Sequence, residues 1–267
     1  MKKVFAKSIL VLCALLFLLP ILLTVVHSFG VQSVDAEDFR LTGLVPSGFS
    51  VVGYYDLLIE HFYVLRNFWN SVFYAGAITC LNIAVSVPAA YAFYQARFKG
   101  KELLFFFYIM LMMMPLQVTL LPNYIGLRNM ELLDTPYAVV LPSIFAPFSV
   151  FLLTQYMKGL EQSYAEAAIL ETKSVFRILF RMIVPQLRTC ILAVFVFVFA
   201  EYWNMVEQVD IYLKRDSLKP MSVLLAIGEG FTTPEVLAGS VVFMIPIVIL
   251  YLYFHDSLEV GLESMKL

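Results

Sequence analysis

Residues 163–185 read SYAEAAILETKSVFRILFRMIVP. Two acids, Glu166 and Glu171, and three bases, Lys173, Arg177 and Arg181, fall in this one stretch. The chain around it is greasy: its 267 residues are 61% hydrophobic and 14% charged. Soluble domains run at roughly half apolar and a quarter charged. The composition therefore points to an integral membrane protein, with residues 163–185 as one of its water-facing segments.

Working outward, the apolar runs supply six spans. A bilayer core needs about 20 residues of helix. Ser8–Val34 contains no Lys, Arg, Asp or Glu, and Arg66 and Arg97 bracket a charge-free run of 30 residues. Leu103–Gly126, Thr135–Met157 and Val236–Phe254 are also charge-free, and a shorter core runs from Thr189 to Ala200. Runs of this length predict helices, since barrel strands alternate over shorter segments. The spans are expected near residues 8–29, 69–95, 103–126, 136–158, 188–207 and 236–255. They make one domain over 1–267, with an internal loop at 159–187. The first run follows Lys2, Lys3 and Lys7 but is long and lacks a small-residue cleavage pattern, so it reads as an uncleaved helix.

Basic residues set the orientation. With the N-terminus inside, 12 of the 18 Lys and Arg fall on inner segments. Both termini are then cytoplasmic, and residues 163–185 lie in the largest internal loop. On the outer side, Tyr54–Leu65 reads as a short amphipathic helix, and residues 207–235 form a second loop. A net charge of −2 gives a nucleic-acid partner no electrostatic support. Cys13, Cys80 and Cys190 lie in apolar runs without metal-like spacing, so they read as packing residues and no metal site is expected. His27, His61 and His255 are scattered and read as interfacial or loop residues.

Within the internal loop, Ala165, Ala168, Ile169, Val175, Phe176, Leu179 and Ile183 step by threes and fours on one helical face. Lys173, Arg177 and Arg181 line another. Three readings fit: a helix at the lipid headgroups, a loop that merely follows the positive-inside bias, or a helix that docks into a soluble partner.

Tyr164-Ala165-Glu166-Ala167-Ala168, followed by Ile183-Val184-Pro185, resembles the E-A-A loop of permease subunits in bacterial ABC importers. The family's glycine position is Thr172 here. Further motifs in order resemble maltose-type carbohydrate permeases, particularly the smaller six-span subunit. They are Asn70-Ser71, Ala90-Tyr91-Ala92 with Phe98-Lys99-Gly100, residues 112–142 and Trp203-Asn204. Two departures stand out: Gln95 at an arginine position and Glu131 at a glycine position.

The resemblance implies an all-α, six-helix, type I ABC-importer permease fold in the bacterial cytoplasmic membrane. It implies a second permease, two ATPase subunits that carry the ATP and Mg, an extracellular solute-binding protein and a sugar cargo. This chain itself would bind no cofactor and catalyse nothing. It also lacks a G-x-x-x-x-G-K-[ST] phosphate loop. By the same resemblance Ala165, Glu166, Ala167, Ala168, Ile169 and Thr172 form the ATPase-coupling surface, and Gly228, Gly230 and Phe231 reach the binding protein. Thr172 cannot take positive φ cheaply, so a gentler bend, or Thr172 capping the second helix, is expected.

Polar residues in a span usually face protein or water. Asn70, Asn82, Gln117, Glu201, Trp203, Asn204 and Glu207 are therefore candidates to line the pathway. Asn204 lies three residues from both Glu201 and Glu207, which predicts a shared helical face beside an aromatic surface suited to sugar. Three alternatives remain open: a permease of the same superfamily for a polyamine, an anion or glycerol phosphate; a stand-alone secondary transporter or channel; and, more distantly, a membrane enzyme.

Overall fold

The computed structural model describes residues 2–30, 46, 48–96, 98–160, 174–228 and 230–263. Among them, the single β feature is an antiparallel bridge between Gly30 and Phe49. It brings the chain back after the first helix, α1 (Lys2–Ser28), where Phe29 stacks on Phe49 and Tyr54. A side chain on Gly30 would place Cβ 2.6 Å from Pro46 Cβ, so the crossing requires glycine.

The expected amphipathic helix Tyr54–Leu65 is replaced by two pieces. Helix α2 (Val52–Tyr55) runs into a π-helical turn, Asp56–Glu60, and His61 and Phe62 break the path. Helix α3 (Tyr63–Gln95) then begins before the expected span start. At about 1.5 Å per residue its 33 residues reach about 50 Å, beyond a hydrocarbon core of about 30 Å. Its buried positions include 64, 67, 71, 74, 75, 78, 82 and 86, one stripe at helical spacing.

The third apolar run is not one straight span. Helix α4 (Lys101–Met112) and helix α5 (Leu116–Asn129) meet at 97° across Met113–Pro115. Pro115 has no N–H to continue α4, and it pushes Met114 out of helical geometry. The fourth run is helix α6 (Pro136–Ser143) and helix α7 (Pro147–Lys158), separated by Ile144–Ala146. The fifth is helix α8 (Val175–Gln186) and helix α9 (Arg188–Trp203), bent by 79° at Leu187. Short helices α10 (Glu207–Tyr212) and α11 (Met221–Ile227) fold the outer loop, and α12 (Thr233–Glu263) closes the chain. Pro88 and Pro246 sit inside continuous helices, whereas Pro115 and Pro142 lie at or beside breaks.

Helix α3 is the central post, against α9, α7, α6 and α11, while α12 lies between α9 and α1. Two cores flank the post. One joins Val87, Ala90, Leu153, Met157, Ile178, Leu187 and Val194 at the end expected to be cytoplasmic. The other joins Tyr74, Ile78, Val139, Met205, Val209 and Val223 towards the outer end. Helix α1 buries none of its apolar window against the rest of the chain. Beyond its contact with α12, its apolar surface is open to lipid or another subunit.

One turn explains a departure noted in the sequence. Helix α5 ends in a Schellman motif: Leu132 N donates to Leu127 O (2.9 Å) and Glu131 N to Arg128 O (3.1 Å). Glu131 stands at the left-handed position with φ 57°, the place where the resemblance leads one to expect glycine.

Candidate functional site

The residues expected to couple to an ATPase, Ala165, Glu166, Ala167, Ala168, Ile169 and Thr172, lie outside the described residues, and so does the expectation about φ at Thr172. The structure resumes at Ser174, whose hydroxyl accepts from Arg177 N and caps α8. The cap expected of Thr172 also falls on a residue outside the described ones. Helix α8 has a π turn at Leu179–Ile183 just before Pro185. The wider turn accommodates a proline ring that would otherwise clash with a preceding carbonyl. Ile178, Leu179 and Ile183 are buried, while Val175, Phe176 and Phe180 are exposed. The apolar face predicted from spacing thus divides. Its inner part packs on α7 and α9, and Phe176 and Phe180, ring centroids 4.4 Å apart, stand outward beside Arg177 and Arg181.

Four of the seven candidate pathway residues hold or stay near open surface. Gln117 Nε2 donates to Glu207 Oε2 at 3.2 Å, and Glu201 and Asn204 are exposed. The predicted shared face of Glu201, Asn204 and Glu207 does not form. Helix α9 ends at Trp203, Asn204 turns the chain with its amide donating to Ala200 O, and α10 starts afresh at Glu207.

The other three are structural. Trp203 is 1% exposed, packed among Phe68, Phe199 and Phe243, and its indole N–H donates to Phe243 O (3.1 Å). Its faces are covered by protein and offer no platform to a sugar. Asn82 is fully buried and holds the broken fourth span. Its Nδ2 donates to Ile144 O (2.8 Å), and its Oδ1 accepts from the Ser149 hydroxyl. Pro147 lacks the N–H that would have reached Ser143 O, and the Tyr202 hydroxyl donates there instead (3.2 Å). Neighbouring helices thereby satisfy the freed carbonyls, as a break at membrane depth requires.

Asn70 belongs to a clasp on the outer loop. Its amide donates to Ser217 O (2.9 Å) and Lys219 O (3.1 Å). Asn67 donates to Asp216 O (3.0 Å) and Tyr74 to Leu218 O (3.0 Å), while Ser71 Oγ accepts from Met221 N (2.9 Å). Positions 67, 70, 71 and 74 form one helical face. A second clip joins the loops: Asp134 accepts from the backbone N–H of Lys214 and Arg215 and from the Arg215 guanidinium. The Arg215 backbone N–H does most to hold the Asp134 carboxyl below its ordinary pKa, helped by the Lys214 N–H and the guanidinium against some desolvation. Beyond the clasp, Gly228 (φ 65°) and Gly230 (φ 80°) turn the chain, and Phe231 packs edge-on against His61.

The profile of a protein family described as "binding-protein-dependent transport system inner membrane component" matches residues 82–262. The chain belongs to this family. The permease is 29% identical over 198 residues to the arabinooligosaccharides transport system permease protein AraQ of Halalkalibacterium halodurans, covering 73% of this chain and 71% of that one. It is 26% identical over 263 residues to the lactose transport system permease protein LacG of Rhizobium radiobacter, covering 97% and 94%. It is 28% identical over 211 residues to the sn-glycerol-3-phosphate permease UgpE of Shigella flexneri, covering 74% of each chain. Its fold is similar to a bacterial ABC transporter that imports the acidic polysaccharide alginate, with TM-score 0.79, 19% identity and coverage of 96% and 95%. The permease is thus an all-α integral membrane component with the type I importer fold.

Sequence reasoning missed the partners that give the permease its rigidity. Asn67, Tyr74, Ser149 and Tyr202 looked like ordinary span residues. The spacing 67-70-71-74 was a readable signal for a polar helical face, but nothing in it named the loop that the face holds.

Proposed function

We propose that the permease forms half of a gated pathway in an ATP-driven importer of a sugar or oligosaccharide, working as a multi-pass protein of the bacterial cytoplasmic membrane. The observation that carries this is the near full-length match to a lactose transport permease, beside the arabinooligosaccharide relative. A second permease would complete the pathway. Two ATPase subunits, which would bind ATP and Mg, would dock beneath, and an extracellular solute-binding protein would deliver the cargo. Both termini would be cytoplasmic, as the loop charges suggest.

In this reading Glu166 offers its carboxylate to donors of the ATPase, and Ala165, Ala167, Ala168 and Ile169 allow close approach of the helix to a groove wall. Thr172 stands at the bend. Arg177 and Arg181 contact lipid headgroups. Closure of the ATPase pair would tilt the helices as rigid bodies. Gln117, Glu201, Asn204 and Glu207 remain the pathway candidates, because polar groups at open surface within an apolar bundle face water or a partner. Gly228, Gly230 and Phe231 would meet the binding protein.

The test is purification in mild detergent followed by uptake in proteoliposomes. A cognate ATPase subunit should co-purify. Glu166→Ala should lower uptake roughly ten- to a hundredfold, the loss of one charged hydrogen bond. No bound ATPase, together with unchanged uptake in Glu166→Ala, would defeat the proposal. A second reading, import of glycerol phosphate, is favoured by the UgpE relative. Competition of uptake by glycerol 3-phosphate, with no competition by saccharides, would select it.

A further inference from the structure

A cavity of about 390 Å³ opens on the outer side, between the start of α3 and the clasped loop. This is within the range of small-molecule sites, roughly 300–1,000 Å³. Tyr63, Arg66, Asn67, Asp216, Lys219 and Phe231 line it, over apolar side chains of α11.

Its charges are unequally used. Lys219 is neutralised by Asp210 at 3.2 Å and Asp216 at 3.3 Å. Arg66 has neither an ion pair nor a hydrogen bond among the described residues. Asn67 is 1% exposed; its Nδ2 is spent on the clasp, and its Oδ1 is buried without a donor. A buried acceptor without a partner costs free energy, and native chains rarely tolerate one. Two aromatic rings, Tyr63 and Phe231, stand 6.1 Å apart and inclined at 39°. The cavity therefore offers one free guanidinium and aromatic surface, with the buried acceptor of Asn67 behind its wall. A ligand that suits it brings a hydroxyl donor, an oxygen acceptor and a ring with an apolar face.

We infer that this cavity is an outer subsite for one ring of a saccharide, held before the ring enters the span region. A ring hydroxyl donates to Asn67 Oδ1, an adjacent hydroxyl or carboxylate accepts from Arg66, and the C–H face lies on Tyr63 and Phe231. Oδ1 is closed from solvent in the free chain, so this contact forms only if the wall opens as the ring enters. The inference rests on the cargo being a saccharide.

The test uses the intact transporter complex in nanodiscs, without binding protein. Binding of arabinotriose and of trigalacturonate is followed by saturation-transfer NMR. The expected result is binding of at least one probe with Kd of about 1–10 mM. Arg66→Gln and Phe231→Ala should each weaken it about fivefold or more, the loss of roughly one kcal/mol. Ile245→Ala, on the exposed face of α12, should leave it unchanged. Preference for trigalacturonate that vanishes in Arg66→Gln makes the acceptor a carboxylate; equal binding makes it a hydroxyl. No binding of either probe, or binding indifferent to both variants, overturns the subsite. So does displacement of the probe by phosphatidylglycerol nanodiscs relative to phosphatidylcholine, which would make the cavity a headgroup site. In each of these cases, intact ATP-driven saccharide uptake would leave the proposed function standing. Loss of that uptake in the wild type would remove the proposed function itself.

Discussion

Removing the Asn82 amide should loosen the broken fourth span. In Asn82→Ala, Ile144 O loses its donor and the Ser149 hydroxyl loses its acceptor. A lost hydrogen bond costs about 0.5–1.5 kcal/mol net, and a buried group left unsatisfied costs about 1–3 kcal/mol. Measured interhelical hydrogen bonds in membrane proteins are weaker, averaging about 0.6 kcal/mol. The expected loss for Asn82→Ala is about 2–3 kcal/mol. Ser149→Ala should cost about 1 kcal/mol, because it strands only Asn82 Oδ1. The double variant should cost less than the sum of the two, with a coupling of about 0.5–1.5 kcal/mol. Equilibrium unfolding of the full chain by SDS titration in mixed micelles reads these values. Tryptophan fluorescence reports it well, since Trp203 is enclosed and Trp69, the other tryptophan, is exposed. If the two losses simply add, the Ser149 bond contributes nothing; if Asn82→Ala costs under about 0.5 kcal/mol, the amide does not hold the break.

Other perturbations have distinct signatures. Asn70→Ala removes two donors from the loop carbonyls and should raise amide exchange in residues 216–221 about tenfold or more, for roughly 1.5–2 kcal/mol lost. Unchanged exchange there would show that the loop holds itself. Glu131→Gly relieves a left-handed residue worth about 1–2 kcal/mol, offset by about 0.5–1 kcal/mol of glycine entropy. A net gain of up to about 1.5 kcal/mol in the same SDS titration is expected, and a loss would mean that the Glu131 side chain has a stabilising contact. Asp134 has a lowered folded pKa, led by the Arg215 backbone N–H. Its clip is therefore fully present above the unfolded carboxylate pKa of roughly 3.9 and is lost as pH falls through the lower folded value. Exchange protection of the Lys214 and Arg215 amides should persist down to that range; its loss well above pH 4 would contradict the assignment.

Apolar length and charge placement made the six-run architecture legible, because spanning a bilayer demands long runs and little else. The same measure could not place the breaks. Pro115 and Pro142 ended or preceded breaks, whereas Pro88 and Pro246 did not, and the break before Pro147 holds only because its freed carbonyls find donors. For Ser143 and Ile144 those donors come from Tyr202 and Asn82, far away in sequence. Asn82 and Asn70 are expected from the sequence to line the pathway, and the structure ties both to backbone carbonyls; polarity at depth does not distinguish a pathway wall from an interhelical tie. Trp203 was misread for a related reason. Its amphipathic ring suits a sugar or a core equally, and only the positions of Phe68, Phe199 and Phe243 decide. The helical spacing around residue 175 failed at Val175 and Phe176, which stand exposed in the first turn of α8, ahead of the π turn.

The clasp between α3 and the outer loop is one-sided in its chemistry. The helix contributes side chains, Asn67, Asn70, Ser71 and Tyr74, and the loop contributes only backbone, the carbonyls of 216–219 and the N–H of Met221. Backbone groups are common to almost every residue type. The loop can therefore exchange many of its side chains over evolutionary time, or under directed selection, without letting go of the helix. Its outward surface is free to be retailored while its path stays fixed. The four helix positions have no such latitude, so a graft between permeases should succeed when the loop is transplanted onto a host that keeps this tetrad.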